Sequence, residues 1–264
     1  MFALPFAARA DLALETETAR LLPAGHVDLS AAFEFQTSRD GREYAAPLAL
    51  EFGIFDRLEL LIEPVAITSI QPKSGPSATG LGDTEVTLTF LAVKEQPFLP
   101  ALAFAGEVKF PTARNLQIGS REFDYRVYAV VSKRLDDVDL HFNLGYNIIT
   151  APPGLRSRNP IDLELAAEWF FHPRFDLLAE VTYVGSSLRG TTAGEIPAAA
   201  ITSRLALPTS SKGGGAITPE LAGREIVGTV GIRSHITRNL DLFGTFSYDN
   251  NDAKLFRTGI TLKY

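Results

Sequence analysis

The chain has 264 residues, of which 45% are hydrophobic and 21% charged, a composition typical of a folded protein rather than a disordered one. Its formal net charge of -6 argues against a nucleic-acid partner, because such binding depends on clustered lysine and arginine. The absence of cysteine excludes disulfides, thiol catalysis and cysteine-ligated metals, and no apolar run reaches the length of a membrane helix.

The first ten residues, MFALPFAARA, are apolar and end on small side chains. Such a stretch is typical of the end of a signal peptide with its cleavage site. We therefore expect residues 1–10 to be a signal-peptide remnant, with a frayed apolar N-terminus as the alternative.

From residue 25 onward, apolar and polar residues alternate with a period of two, which indicates β-strands with two different faces. In the stretch VDLHFNLGYNI, for example, Val138, Leu140 and Phe142 face one way, and Asp139 and His141 face the other. Strands are predicted at residues 26–35, 46–54, 58–66, 82–93, 101–110, 123–132, 138–148, 161–169, 175–184, 225–233, 240–248 and 254–264.

These are about twelve strands of roughly nine to eleven residues, the length that a tilted strand needs to cross a bilayer. Their connections alternate between short and long. Short turns are predicted at residues 55–57, 94–100, 134–137, 171–174 and 235–239, and longer polar links at 38–43, 69–81, 111–122, 150–160 and 185–224, with 249–253 as one short member of the second class. A soluble β-sandwich has no reason to sort its connections in this way, whereas outer-membrane barrels have short periplasmic turns and longer extracellular loops.

The aromatic residues of the apolar faces fall at two levels near the strand ends, as expected for the two interfaces of a bilayer. Those on the loop side are Phe110, Tyr125, Tyr146, Tyr183 and Tyr248, and those on the turn side are Phe90, Trp169 and Tyr264. The predicted fold is an all-β, transmembrane, up-and-down antiparallel β-barrel in the bacterial outer membrane. Its predicted parts are a periplasmic N-terminal segment at residues 11–24 and the barrel at residues 25–264.

Four segments in order along the chain also resemble a known family. They are PLALEFGIFDRLELLIEP (47–64), GLGD (80–83), AGEVKFPT (105–112) and HFNLGYN (141–147). The series is similar to a family of outer-membrane transporters named for the meta-cleavage pathway of phenol degradation. The resemblance implies an outer-membrane barrel that passes small, often hydrophobic organic compounds, and it does not identify the solute.

The polar faces carry more acids than bases, and we expect these side chains to line the lumen. The candidate residues of the substrate path are Glu85, Glu107, Lys109, Asp124, Arg126, His141, Glu164 and Arg257. One interpretation is a passage that favours cations or neutral polar solutes, since carboxylate rings give cation preference. The other is a salt-bridged interior, because unpaired buried charge is costly. In either case a barrel of about twelve strands predicts a narrow, partly occluded pore.

No catalytic, metal or cofactor site is predicted. The run Gly80 to Asp83 lacks the lysine and helix of a phosphate loop, so we interpret it as the entry into a strand. The four histidines are scattered without a ligand spacing. Ser132 and His141 lie on neighbouring predicted strands without a recognisable triad.

The predicted function is an outer-membrane channel for passive uptake or efflux of small organic compounds, with aromatic and hydrophobic compounds as candidate solutes. The alternative is a structural or adhesive barrel with a closed lumen and partner-binding surface loops. The expected partners are outer-membrane lipid and a small-molecule solute. The family resemblance further implies that the barrel-insertion machinery recognises the C-terminal strand, which ends at Tyr264. The link at residues 185–224 is predicted to be a surface loop, with inward folding as the alternative.

Overall fold

The computed structural model describes residues 12–150, 159–185 and 224–264, and these residues form one large antiparallel sheet. Its strands are β1 Val27–Thr37, β2 Gly41–Phe55, β3 Leu58–Pro72, β4 Ala78–Gly80, β5 Thr84–Val93, β6 Ala101–Phe110, β7 Asp124–Leu135, β8 Val138–Ile148, β9 Ile161–His172, β10 Phe175–Val184, β11 Glu225–Thr237, β12 Leu240–Asp249 and β13 Lys254–Lys263. The predicted signal-peptide remnant and most of the predicted 150–160 and 185–224 links lie outside the described residues.

The sheet closes on itself as a barrel. Each long strand pairs with the next along the chain, β3 pairs with β5, and β1 pairs with β13. At the seam, the backbone N–H of Tyr264 donates to the carbonyl of Val27 over 2.9 Å, and that of Val27 donates back over 3.1 Å. The predicted twelve-stranded barrel is therefore confirmed, with the three-residue β4 added beside β3.

Two strands extend further on the loop side than the sequence predicts. The register pairs Glu43 with Ile70 and Gly41 with Pro72, so β2 and β3 include residues assigned to the 38–43 and 69–81 links. Main-chain hydrogen bonds between the paired strands stabilise these additional strand residues, although their side chains do not alternate clearly between apolar and polar. The remaining β1–β2 link is a tight turn, in which Ser38 N–H donates to the Gly41 carbonyl over 2.9 Å.

The polarity of the barrel is the inverse of that of a soluble domain. Large apolar side chains lie on its outer face, where Leu165 is 56% exposed and Val230 60%. Charged side chains lie on its inner face, where Arg233 and Glu164 are each 1% exposed. A closed barrel with this polarity places its outer face in lipid and satisfies every ladder hydrogen bond internally. Within the described residues, no helix is long and apolar enough to cross a membrane.

Candidate permeation site in the barrel lumen

Residues 12–22, here called the N-terminal segment, occupy the lumen. The backbone N–H of Leu22 donates to Glu59 Oε2 over 2.6 Å, and that of Thr16 donates to Glu180 Oε2 over 2.6 Å. Glu59 lies beside the short β2–β3 turn, whereas Glu180 lies near the middle of β10, so the segment runs from the periplasmic end towards the centre.

This position differs from the periplasmic one expected for residues 11–24. The segment lacks the alternation of a strand, and its backbone N–H groups at Glu15, Thr16, Ala19 and Leu22 donate to lumen-facing side chains. Such acceptors exist only once the barrel has closed, so nothing in the segment's own sequence indicates them. Glu15, Thr16, Ala19 and Arg20 are therefore site residues that the sequence did not identify.

A salt-bridge cluster ties the segment to the periplasmic end. Arg20 donates to both carboxylate oxygens of Asp139, at 2.5 and 2.7 Å, and lies 2.6 Å from Glu95 Oε2. Burial alone would raise the pKa of Glu95, but the backbone N–H of Arg134 and the Arg20 and Lys133 side chains together hold it below its ordinary value. Glu95 therefore stays ionised and keeps Arg20 in place.

Apolar contacts hold the rest of the segment. Leu12, Ala13 and Leu14 are almost fully buried in a cluster of lumen-facing side chains. The barrel contributes to it Ala32, Ala49, Leu61, Ala166, Leu178 and Phe243. Ala19 packs in a second cluster with three alanines of β6 and with Tyr128 and Val130 of β7. Since burying one leucine contributes about 1.5–3 kcal/mol, these contacts stabilise the occluded arrangement.

Arg126 is the centre of a buried charge network in the loop-side half of the lumen, because it is the third residue of β7 from the loop side. Its Nη2 atom lies 2.5 Å from both Asp162 Oδ2 and Glu164 Oε1, and its Nη1 atom lies 3.8 Å from Glu107 Oε2. Asn143 Nδ2 donates to the other oxygen of Glu164 over 2.9 Å. Each member is 5% exposed or less, so the network is a buried cluster of charged and polar side chains.

Arg257 connects the barrel seam to the N-terminal segment. Its Nε donates to Glu34 Oε1 over 2.6 Å, while Nη2 donates to Glu15 Oε1 over 2.5 Å. Its Nη1 donates to the carbonyl of Leu12 over 3.0 Å. One side chain thus joins β1, β13 and the N-terminal segment.

The loop-side mouth is covered by the link between β6 and β7. Lys109 pairs with Asp124, lies 3.8 Å from Asp83 and donates to Ser120 over 3.2 Å. Burial raises the pKa of the Asp83 carboxyl, which accepts a hydrogen bond from the Ala113 backbone N–H over 3.0 Å. Asp83 thus links the end of the GLGD run to this covering loop.

One side of the lumen is acidic. We call the acidic wall Asp28 of β1, Glu51 of β2, Glu59 and Glu63 of β3, and Glu85 of β5. Asp28 lies opposite Glu51, and Glu63 lies opposite Glu85, in the strand register. Glu51 is 2% exposed, and its carboxyl group lies against that of Glu59. The inner faces of β1, β2, β3 and β5 carry no lysine, arginine or histidine.

Ser132 and His141 form a buried contact beneath the N-terminal segment. Ser132 Oγ lies 2.8 Å from His141 Nδ1 and accepts a hydrogen bond from the Ala19 backbone N–H over 2.8 Å. Ser132 is fully buried, so the N-terminal segment covers it. Across the described ranges, no group of three or more histidine, aspartate or glutamate side chains could hold a metal ion.

The eight predicted path residues therefore all face the lumen, although they form separate groups. Glu107, Arg126 and Glu164 meet in the buried network around Arg126, and Lys109 with Asp124 lies nearby at the loop-side mouth. Arg257 lies at the seam, and His141 lies beneath the N-terminal segment. Glu85 is partly exposed, opposite Lys109 in the register.

The fold is shared with solved outer-membrane proteins. An outer-membrane channel of Pseudomonas putida F1 superposes with a TM-score of 0.62 at 13% identity, covering 92% of this chain and 97% of that one. The NanC porin gives 0.59 at 10% identity over 89% of this chain and 98% of its own, and the KdgM porin in complex with oligogalacturonate gives 0.54 at 11% over the same shares. No curated protein matches the chain in sequence.

The closed barrel and its inverted polarity place the protein in the bacterial outer membrane, as predicted. The family described as "Putative MetA-pathway of phenol degradation" matches residues 15–205. That range includes the N-terminal segment from Glu15 and all four motifs from which the resemblance was inferred. The chain belongs to this family of outer-membrane β-barrel proteins.

Proposed function

We propose that this barrel is a channel for the passive passage of small organic compounds, with its path along the lumen past Glu85, Glu107, Arg126, Glu164 and Arg257. The solved proteins with the same fold are porins and channels, which supports a channel role. In this proposal the protein carries out no catalysis and needs no cofactor.

The observation that carries the proposal is the way in which the N-terminal segment is held. Its backbone N–H groups at Glu15, Thr16, Ala19 and Leu22 donate to side chains. Within the described residues, the main-chain hydrogen bonds that join this end of the chain to β2 begin at Gly25 and His26, which bond to Gly53 at the periplasmic rim. The segment can therefore leave the lumen without breaking any barrel ladder. A closed structural barrel would be filled by its own wall side chains.

The acidic wall would give this path a preference for cations over anions. Charge pairing accounts for Arg126, Lys109 and Arg257, as the salt-bridged interpretation expects, but these bases lie on β6, β7 and β13. The wall on β1, β2, β3 and β5 leaves a negative field beside the N-terminal segment, and low-dielectric surroundings strengthen such a field.

Liposome swelling and planar-bilayer reversal potentials test the proposal. We expect faster entry of small cationic and neutral organic solutes than of anionic ones of equal size, and a cation-selective reversal potential. Glu51→Gln should lower the cation preference without abolishing flux. Asp56→Asn, the same charge change on an exposed periplasmic turn, should leave it unchanged. Impermeability of the wild-type protein to every solute would contradict the channel and support the structural or adhesive alternative.

The proposed contact with the insertion machinery is tested separately at the C-terminus. Tyr264 is 67% exposed on the outer face, at the seam that β13 makes with β1. Deleting Tyr264 should reduce the amount of barrel assembled in the outer membrane, measured by heat-modifiable migration on a gel. The fraction that assembles should keep wild-type permeability, and unchanged assembly would argue against the proposed partner.

A further inference from the structure

A cluster of basic side chains lies on the outer surface at the loop-side end of β1, β2, β3 and β13. We call Arg39, Arg42, Lys73 and Lys254 the basic rim. All four are exposed, and the Arg39 side chain is 73% exposed. In the register, Thr37 pairs with Arg42 on one side and with Lys254 on the other. The Lys73 backbone N–H donates to the Asp40 carbonyl over 2.7 Å, which places Lys73 beside the same turn.

Arg42 and Lys254 both point away from the lumen. Arg42 precedes the buried, lumen-facing Glu43, and Lys254 belongs to the outward set that contains Phe256, which is 49% exposed. Since neighbouring strands are about 4.8 Å apart, the two backbones lie about 9.6 Å apart across Thr37. Two long side chains at that separation can converge on one anionic group.

The charge of the rim is only partly compensated. Arg39 is paired with Asp252, which also accepts a hydrogen bond from the Tyr248 hydroxyl over 2.5 Å. The other acids of these turns are Asp40 and the buried Asp249, whose carboxylate accepts backbone hydrogen bonds from Asn251 and Ala253, so four bases are accompanied by three acids. Within the described residues, neither Arg42 nor Lys254 has an ion-pair or hydrogen-bond partner for its side chain.

An aromatic patch lies directly below the rim on the same outer face. Phe35 stacks against Tyr44 with ring centroids 5.1 Å apart, and Phe246 lies 4.9 Å from Phe256. Phe35 pairs with both Tyr44 and Phe256 in the register, so the rings form a continuous band. Aromatic bands of this kind mark the level of lipid headgroups. The basic rim therefore lies at the headgroup level of the outer leaflet.

We propose that the basic rim is a binding site for the phosphate groups of a phosphorylated glycolipid of the outer leaflet, with the aromatic band contacting its acyl chains. Arginine and lysine side chains form charge-assisted hydrogen bonds with phosphate oxygens, and basic pockets on membrane proteins bind anionic headgroups in this way. The lipid phosphate groups pair with the Arg42 and Lys254 side chains. The bound lipid thereby stabilises the barrel at the β1–β13 seam.

Native mass spectrometry of the purified barrel with bisphosphorylated lipid A tests this site. The wild-type protein should retain the lipid through detergent removal, whereas lipid A with the same acyl chains and both phosphates removed should be retained at least tenfold less. The double variant Arg42→Gln/Lys254→Gln should lose retention of the phosphorylated lipid to a similar extent. The matched control is Lys94→Gln/Arg238→Gln, which removes two exposed bases from periplasmic turns and should behave as wild type.

Equal retention of the phosphorylated and dephosphorylated lipids by the wild-type protein would overturn the proposal, because binding would then depend on the acyl chains alone. Equal retention by both double variants would overturn it as well. Heat-modifiable migration shows whether each variant is folded, and the comparison of the two lipids on the wild-type protein stands even if a variant does not fold. None of these outcomes depends on whether the barrel is a channel.

Discussion

Deleting residues 12–22 should raise the ion conductance of the reconstituted barrel several-fold over that of the wild-type protein. The deletion removes Leu12 and Leu14 from the lumen centre, together with Arg20 and its tether at the periplasmic end. The barrel ladders remain complete because this segment takes no part in them. Single-channel recording in planar bilayers measures the effect, and unchanged conductance would show that the barrel is closed by its wall side chains.

A single substitution at the tether should act in the same direction with a smaller effect. Arg20→Ala removes the paired hydrogen bonds to Asp139 and the contact with Glu95. A loss of about 2 kcal/mol, typical of hydrogen bonds to charged groups, would raise the population of barrels with the N-terminal segment released roughly 30-fold. Arg238→Ala, which removes an exposed base from another periplasmic turn, is the control and should leave that population unchanged.

Acid should weaken the same tether. Because the pKa of Glu95 is held below the ordinary value of 4.5, its ionised form stabilises the closed arrangement fully above that pH. The contribution is lost only as the pH falls below 4.5 and through the folded-state pKa. Wild-type conductance should therefore rise in that acidic range, and the Glu95 part of the rise should be missing in Arg20→Ala.

Arg126→Met should lower the free energy of unfolding by about 3–5 kcal/mol, since it leaves Asp162 and Glu164 buried without their cation. Urea unfolding of the barrel in detergent micelles or lipid vesicles, followed by gel migration, measures the change. Arg126→Lys should recover only part of the stability, because an ammonium group does not reproduce the planar fork that reaches both carboxylates.

A triple variant tests whether unpaired buried charge causes the expected instability of Arg126→Met. The triple variant Arg126→Met/Asp162→Asn/Glu164→Gln removes the stranded charges together with the arginine, and it should be more stable than Arg126→Met alone. If the triple variant is as unstable as the single one, the arginine stabilises the barrel through packing rather than through charge. Arg238→Met, at an exposed turn position, should change stability little.

Much of the barrel follows from local patterns. The strands at residues 101–110, 138–148 and 175–184 have the bounds that alternation predicts, because successive side chains point to opposite faces of a sheet. The same alternation places Glu107 and Arg126 in the lumen and Leu165 on the outer face. The alternation of short and long connections predicts an even number of strands, with both ends of the sheet on the periplasmic side.

The partners of the lumen side chains could not be predicted, because they depend on which strands the closed barrel brings into contact. Arg126 reaches across β8 to Asp162 and Glu164 on β9, and Ser132 meets His141 only in the observed register. Alternation fixes the face of a residue, but it does not fix the register or the reach of a long side chain. The sequence predicts both acids and bases in the lumen. Only the structure shows which bases are paired with acids, and that the acidic wall lies on strands whose inner faces carry no base.

A closed barrel in a membrane can be predicted without coordinates, since the period of two, the strand lengths and the alternation of short and long connections are local properties of the chain. The position of residues 12–22 inside that barrel is a property of the folded molecule alone. The donors of that segment find Glu59, Ser132 and Glu180 on three different strands, far apart in sequence. These acceptors surround one space only after β1 has paired with β13, so the position of the segment is a consequence of closure.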